Sequence, residues 1–344
     1  MGGVGHNRRP VAGIDLDLQA ESAIFERMEM VVQVPVTPDR SKDSILEEFG
    51  GKIEFARELA SLTSFGTGGR AKYFLQVHSA EELIGALKAI RKLKIPFFVM
   101  AGGTNLLVSD SGFDGLVIKI DIEGIKLTED TKIECSAGEK LSSLVSFATD
   151  HNLTGLEFAA GIPGTVGGAV YGNAGAFGHE IGSVVSELTL IDKSGVIRTE
   201  AGEYCRLSYR HSIFKESGEI VISAKFKLQS GNRKEIQHKV DSALARRNER
   251  LPVNANTAGS FFKNIPDPAQ ENGKLAAGRL LEEVGAKELC VGGACVSEKH
   301  ANIIVNSGRA TSKDIRELAD ILKKRVCDRF GVELQQEVQQ LGDF

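Results

Sequence analysis

The sequence predicts an α+β protein: a part with two glycine-lined turns in the first 230 residues, then a separate C-terminal α+β unit. Three observations carry this. Helical stripes and alternating strands follow one another without a regular strand–helix–strand repeat. The turn Ala101-Gly102-Gly103-Thr104-Asn105 joins one short strand to another rather than opening a helix. Glycine is over-represented, 38 in 344 residues, and it clusters in GIPGTVGGAVYGNAGAFG, Gly161 to Gly178.

Residues 1–44 read as a polar extension that packs poorly. Arg8-Arg9 are followed by Asp15, Asp17, Glu21 and Glu26, which leave no apolar core for a signal peptide, and Met28 or Met30 is an alternative start. Ser79-Ala80-Glu81-Glu82 reads as a capping box opening a helix with Leu83, Leu87 and Ile90 on one face. Pro96 precedes a strand Phe97-Phe98-Val99-Met100, then the glycine turn, then Leu106-Leu107-Val108 and Leu116-Val117-Ile118. A helix carrying Leu141, Leu144, Val145 and Ala148 leads into the glycine stretch. Strands follow at Val184 to Ile191 and through the alternating Ile220, Ile222, Ala224, Phe226 and Leu228. A charged helix near 233–250 bridges to the last unit, expected as helix 275–284, strand 302–306, helix 312–329 and strand 332–338. Ile315, Leu318, Leu322 and Val326 make one stripe of that long helix.

Composition excludes several classes. A net charge of -4 gives no general pull toward nucleic acid or an anionic membrane. No apolar run reaches the roughly 18 residues of a membrane helix. The five cysteines are odd in number and scattered, which argues against a disulfide framework and suits a reducing cytoplasm. Cys290, Cys295 and His300 do not match a zinc spacing, and no metal is expected. A Rossmann fingerprint needs its glycines to open a helix, and no P-loop Gly-Lys-Ser/Thr occurs.

Why so little side chain over Gly161–Gly178? Linkers lack the Ile162, Val166, Val170, Tyr171 and Phe177 found here. Backbone amides in tight turns form concave anion sites, and glycine lets main chain come close to a phosphate. Two such loops suit a large phosphorylated cofactor, with tight structural turns as the competing reading.

A set of motifs then occurs in order. They are Thr63-Ser64-Phe65-Gly66-Thr67-Gly68-Gly69, Gly102-Gly103-Thr104-Asn105-Leu106-Leu107, Gly155 through Gly168, Asn173-Ala174-Gly175, Tyr209-Arg210-His211-Ser212, Ala258-Gly259-Ser260-Phe261-Phe262-Lys263-Asn264 and Lys299-His300-Ala301-Asn302. From about residue 45 to the C-terminus the chain resembles the UDP-N-acetylenolpyruvoylglucosamine reductases, in the branch without a tyrosine-bearing substrate loop. The resemblance implies a vanillyl-alcohol-oxidase-type FAD-binding domain over 45–230, in lobes of about 45–120 and 121–230. A substrate-binding domain over 231–344 would follow. It also implies a cytoplasmic enzyme of peptidoglycan synthesis; the sequence leaves the oligomeric state open, with a monomer expected. Such an enzyme uses FAD and NADPH on a UDP-sugar, with neither nucleic acid nor membrane as partner.

On that resemblance, FAD would be lined by Gly68, Gly69, Gly102, Gly103, Thr104, Asn105, Leu106, Gly161, Ile162, Pro163, Gly164, Thr165, Gly167, Gly168, Asn173, Ala174 and Gly175. Arg210 would grip the enolpyruvyl carboxylate and Glu337 would help polarise it. Ser260 would give the proton to C2, and Lys263 and Asn264 would hold the UDP diphosphate or the sugar. Taken singly, each has a plainer reading: a surface salt bridge for Arg210, a solvated acid for Glu337, a turn serine for Ser260, a solvated amine for Lys263. His300, before the apolar Ile303-Ile304-Val305, reads as structural. The chain departs from the family's pattern at Thr104, Ile265, Glu288 and Cys295. A flavin oxidase on the same scaffold and a non-catalytic flavin-binding paralogue are the competing functions.

Overall fold

A computed structural model describes residues 42–270 and 273–344. The expected extension therefore falls outside the described residues, except that 42–44 already belong to a helix, α1 (Lys42–Glu48). Strands β1 (Glu54–Glu58) and β2 (Arg70–Val77) come next. Helix α2 (Ala80–Leu93) buries Leu83, Leu87 and Ile90 as their spacing requires. Its cap is half the expected box: Ser79 Oγ accepts the Glu82 amide at 3.2 Å, but the Glu82 carboxylate reaches back one residue further, to the His78 amide. Then follow β3 (Phe97–Met100), β4 (Leu106–Val108) and β5 (Phe113–Ile120). The first sheet runs β1-β2-β5-β3, with β1 antiparallel and the others parallel. Strand β4 is outside it, so the 101–105 turn passes from one sheet to another with no helix between.

The next stretch supplies β6 (Ile125–Glu129), β7 (Lys132–Ser136), α3 (Leu141–Asp150), α4 (Val166–Gly172), β8 (Val185–Ile191), β9 (Ile197–Ala201), α5 (Phe214–Ser217) and β10 (Ile220–Lys227). These strands form an antiparallel sheet, β9-β8-β10-β7-β6. One apolar cluster runs through both sheets, joining Leu116 and Ile118 to Ile133, Leu144, Leu190 and Phe226. Helix α4 corrects the reading of the glycine stretch as loop alone. Three glycines in seven residues cost helix stability, yet Val166, Ala169 and Val170 are buried and Thr165 caps the first turn.

The C-terminal part comprises α6 (Arg233–Arg250), α7 (Ala277–Glu283), β11 (Cys290–Val291), β12 (Ala294–Val296), β13 (Ile304–Asn306), α8 (Ser312–Phe330) and β14 (Gln339–Leu341). Ile315, Leu318, Leu322 and Val326 on α8 bury against Phe261, Phe262, Leu334 and Val338. Two expectations are corrected here. The segment 332–338 is not a laddered strand: a single bridge pairs Gln336 with Phe262, and the strand is β14, parallel to β4. Leu334 and Val338 are buried there, but which partner closes the backbone bonds is a long-range matter. The cysteines are not all free either. Cys290 and Cys295 lie opposite each other across the β11–β12 hairpin and form a disulfide, while Cys135, Cys205 and Cys327 stay unpaired.

One polar stitch fixes α8. The Asp110 carboxylate, in the turn after β4, accepts the Ser312 and Lys313 amides at 2.8 and 2.9 Å, and Ser312 Oγ meets Thr67 Oγ1 at 2.9 Å. Helix N-termini leave amides without partners, and Asp110 supplies the acceptor from far away in the chain. Asp110→Ala should cost about 1–2 kcal/mol, the usual price of a lost cap. A thermal melt unchanged from wild type would contradict it.

Candidate active site

The two glycine loops meet. A Cβ built on Gly102 would stand 3.1 Å from Gly164 Cα, and one on Gly164 would stand 2.8 Å from Thr104 Oγ1. Thr104 Oγ1 also donates to Pro163 O at 3.4 Å. The idea that bare main chain exists here for a ligand alone needs correction. A Cβ on Gly68, Gly69, Gly103 or Gly175 would come within 2.6, 2.3, 2.0 or 2.5 Å of protein atoms, so the fold itself demands those glycines. Leu106 and Asn173 are buried, 4% and 1% exposed. Leu106 packs in a cluster with Met100 and Leu341. The Asn173 amide donates to Glu180 and to Ser208 O, and its oxygen accepts the Gly182 amide. Both side chains are spent inside the protein, which leaves the main chain as what these two residues can offer a cofactor.

What remains still fits a flavin dinucleotide. Among the described residues, the amides of Gly102, Gly103, Thr104 and Asn105, and those of Gly164 and Thr165, donate to no group in the protein. Backbone donors away from water are nearly always paired, so consecutive free amides mark a place for an anion. A diphosphate needs such a donor set; beside it Ile162, Gly167, Gly168 and Ala174 are partly buried and Pro163 is exposed. Gly161 is exposed under α6, with Leu244 and Arg247 next to where its Cβ would be.

The expected reactive residues converge beside these loops. Arg210 lies in a tight turn closed by reciprocal Ser208–His211 amide bonds of 3.2 and 3.0 Å. Its φ of 56° is left-handed, costly for a side chain with a Cβ. Its Nε stands 2.5 Å from Glu337 Oε1. The N–H does not point along that line, which makes the contact an ion pair rather than an aligned hydrogen bond. Nη2 reaches Gly175 O at 3.5 Å. Glu337 is fixed from both sides: its amide donates to Phe261 O at 2.8 Å, and its carbonyl accepts from Asn105 Nδ2 at 3.0 Å. Asn105 thus ties the glycine turn to the carboxylate's own backbone. Ser260, the neighbour of Phe261, bridges Ile303 through its backbone, and its half-buried hydroxyl has no partner among the described residues.

Lys263 donates its amide to Gln335 O at 2.8 Å, on the segment that carries Glu337. Asn264 is less free than expected: its amide donates to Tyr209 Oη at 3.1 Å and its Oδ1 accepts the Ala277 amide at the start of α7. His300 stays structural, its Nδ1 accepting the Asn302 amide, with burial holding its pKa down.

Burial raises the Glu337 pKa, and the charges of Arg210, Lys215 and Lys263 pull against that without cancelling it. Lys215 is pushed down to about 8, first by burial and then by Lys263, with Arg210 adding to the effect and Glu337 opposing it. Arg247 on α6 is lowered by burial and by Arg210. The site therefore concentrates positive charge around one largely enclosed carboxylate. Sequence reading missed Lys215, Tyr209 and Arg247. The available signal was local for the first two, since both share the short segment around Arg210, whereas nothing near Arg247 in sequence links it to that segment.

Comparison with known proteins agrees with this geometry. A family model described as FAD binding domain matches residues 71–200. Another, described as UDP-N-acetylenolpyruvoylglucosamine reductase, C-terminal domain, matches residues 251–341. The UDP-N-acetylenolpyruvoylglucosamine reductase of Caldanaerobacter subterraneus subsp. tengcongensis is 40% identical over 305 residues, covering 89% of this chain and 98% of that one. The Clostridium novyi protein of that name is 39% identical over 285 residues, 83% of this chain and 91% of its own. The solved UDP-N-acetylenolpyruvylglucosamine reductase of Thermus caldophilus superposes with a TM-score of 0.70 at 32% identity, covering 84% of this chain and 98% of that chain. A VAO-type flavoprotein of Myceliophthora thermophila C1, 11% identical with a TM-score of 0.54 over 86% of each chain, shares the fold alone. The chain belongs to the UDP-N-acetylenolpyruvoylglucosamine reductase family and is an FAD-dependent oxidoreductase with a flavin domain of the vanillyl-alcohol-oxidase type.

Proposed function

We propose that the protein reduces the enolpyruvyl ether of UDP-N-acetylglucosamine to UDP-N-acetylmuramate for peptidoglycan precursors, with NADPH as the electron source. It would act as a cytoplasmic monomer. The observation that carries the reading is the half-buried Arg210–Glu337 contact, tied through Asn105 to a loop whose amides are free to hold a diphosphate.

FAD, when bound, supplies the hydride for C3 of the enol ether and is replenished from NADPH. The rest falls to the chain's own residues. Adding hydride at C3 develops negative charge on C2 and its carboxylate. Arg210 holds that carboxylate in its planar fork, where a fixed guanidinium in a dry site stabilises the growing charge. Glu337, paired with Arg210 and with its pKa raised by burial, shares in polarising the substrate's carboxylate. Ser260 delivers the proton to C2. A free serine is a weak acid, and the positive charge of Lys263 favours the alkoxide left behind. Lys263 also offers a point charge to the UDP diphosphate, and Asn264 retains its Nδ2 for the sugar. Gly68, Gly69, Gly103, Leu106, Asn173 and Gly175 would contribute main chain or shape the cradle from behind.

The test is NADPH oxidation by the purified, FAD-loaded protein with and without the enolpyruvyl substrate. We expect consumption to depend on that substrate and to match UDP-N-acetylmuramate formed. Equal consumption in its absence, driven by oxygen, would point instead to an oxidase.

A further inference from the structure

Lys215, on the four-residue helix α5, has no part in the reaction as described above. Its ammonium is partly buried, and among the described residues it makes one hydrogen bond, to Arg210 O at 2.8 Å. It also lies 5.6 Å from the centre of the Tyr171 ring, a cation–π contact. Arg210 itself occupies the second central position of the Ser208–His211 turn with its φ at 56°, a place where glycine or asparagine is usual. An arginine there relaxes toward ordinary backbone unless something holds its peptide. The group holding the carbonyl of that peptide is Lys215.

We infer that Lys215 is a positioning residue: by binding the Arg210 carbonyl it locks the left-handed turn that aims the guanidinium at Glu337 and at the substrate's carboxylate. The inference rests on the role proposed for Arg210. Burying an ammonium near Arg210 and Lys263 is unfavourable, which is why its pKa falls to about 8. A neutral apolar residue would be easier to bury there, so the charge has a use. Deprotonation leaves a weaker, uncharged donor, and the hold on the turn slackens as pH rises through that value. Other titratable groups facing the site differ: burial raises Glu337, and it also raises the Tyr171 and Tyr209 hydroxyls beyond 10.

The experiment follows anaerobic reoxidation of NADPH-reduced, FAD-loaded enzyme by the enolpyruvyl substrate. It compares wild type, Lys215→Met, Lys215→Arg, Arg210→Met and the double Met variant. Lys215→Met should slow reoxidation about 100-fold, the scale of a one-ångström misplacement, while NADPH reduces the flavin at the wild-type rate. In the Arg210→Met background, Lys215→Met should add nothing, because its effect passes through Arg210. The wild-type second-order rate constant should fall on an alkaline limb with a midpoint of about 8. Lys215→Arg should restore most of the rate and lose that limb. An additive loss in the double variant overturns the inference, since it gives Lys215 its own contact with substrate. So does a Lys215→Arg profile that keeps the limb, a readout that holds even if Lys215→Met fails to fold. If Arg210→Met is slow and Lys215→Met is not, this inference alone fails. Should Arg210→Met reoxidise normally, the role of Arg210 fails first and the inference with it.

Discussion

Ser260→Ala should retain FAD, melt like wild type and be reduced by NADPH at the normal rate, yet turn over about 10²–10⁴-fold more slowly. The split follows from position. Among the described residues the Ser260 hydroxyl has no partner, so its removal leaves nothing there unsatisfied and stability should hold. Its backbone is pinned on one side by the Ile303 bridge and next door by Phe261, whose carbonyl takes the Glu337 amide. Ser260 is thus the chain neighbour of the residue that holds the Glu337 backbone. Loss of a proton donor affects only the half-reaction in which substrate accepts electrons. Rapid-mixing traces of the two half-reactions, recorded separately, check this. Normal turnover by the variant would remove Ser260 as the donor.

Arg210→Met carries the second large effect. Removing a preorganised donor to a developing anion costs about 10²–10³ in rate, again confined to reoxidation by substrate. It should also disturb stability in a pH-dependent way. In wild type the raised pKa of Glu337 is restrained by Arg210, the largest of the opposing charges. Without the guanidinium, burial acts with less opposition and the folded-state pKa rises further above the ordinary value of 4.5. The native state then binds a proton that the unfolded chain has released. Stability is therefore full below the unfolded value and is lost as pH rises through the folded one. The melting temperature of Arg210→Met should fall over that window more than that of wild type. A parallel pH dependence for the two proteins would show that Arg210 does not restrain Glu337.

Regular elements were legible where local chemistry and burial agree. Helix α8 is framed by a Thr311–Asp314 capping box and by Gly331 with φ of 67°, and its stripe of Ile315, Leu318, Leu322 and Val326 is buried. Helix α6, read near 233–250, spans Arg233–Arg250 because Asn232 caps it and Leu251-Pro252 end it. Helix α4 was hidden because Gly167, Gly168 and Gly172 weaken the local signal, and the burial of Val166 and Val170 that stabilises it comes from distant chain. The glycine loops illustrate a sharper limit. Sequence showed that main chain approaches something there; the structure shows Gly68, Gly69, Gly103 and Gly175 closing on protein and Gly102 and Gly164 closing on each other. Only the free amides distinguish a ligand cradle from tight packing, and contacts as distant in sequence as Thr104 to Pro163 have no local signature.

For the site, Arg210 and Glu337 were named from sequence and stand in contact. Lys215 was missed because its importance lies in the carbonyl it touches rather than in its own chemistry. The Cys290–Cys295 pair was missed because the hairpin that opposes them is set by the Gly292-Gly293 turn and by pairing with β13.

The most direct test is an anaerobic single turnover: flavin reduced with one equivalent of NADPH, then mixed with the enolpyruvyl UDP-sugar in the absence of oxygen. The yellow oxidised spectrum should return in step with one equivalent of UDP-N-acetylmuramate. A flavin that stays bleached until air is admitted would contradict it.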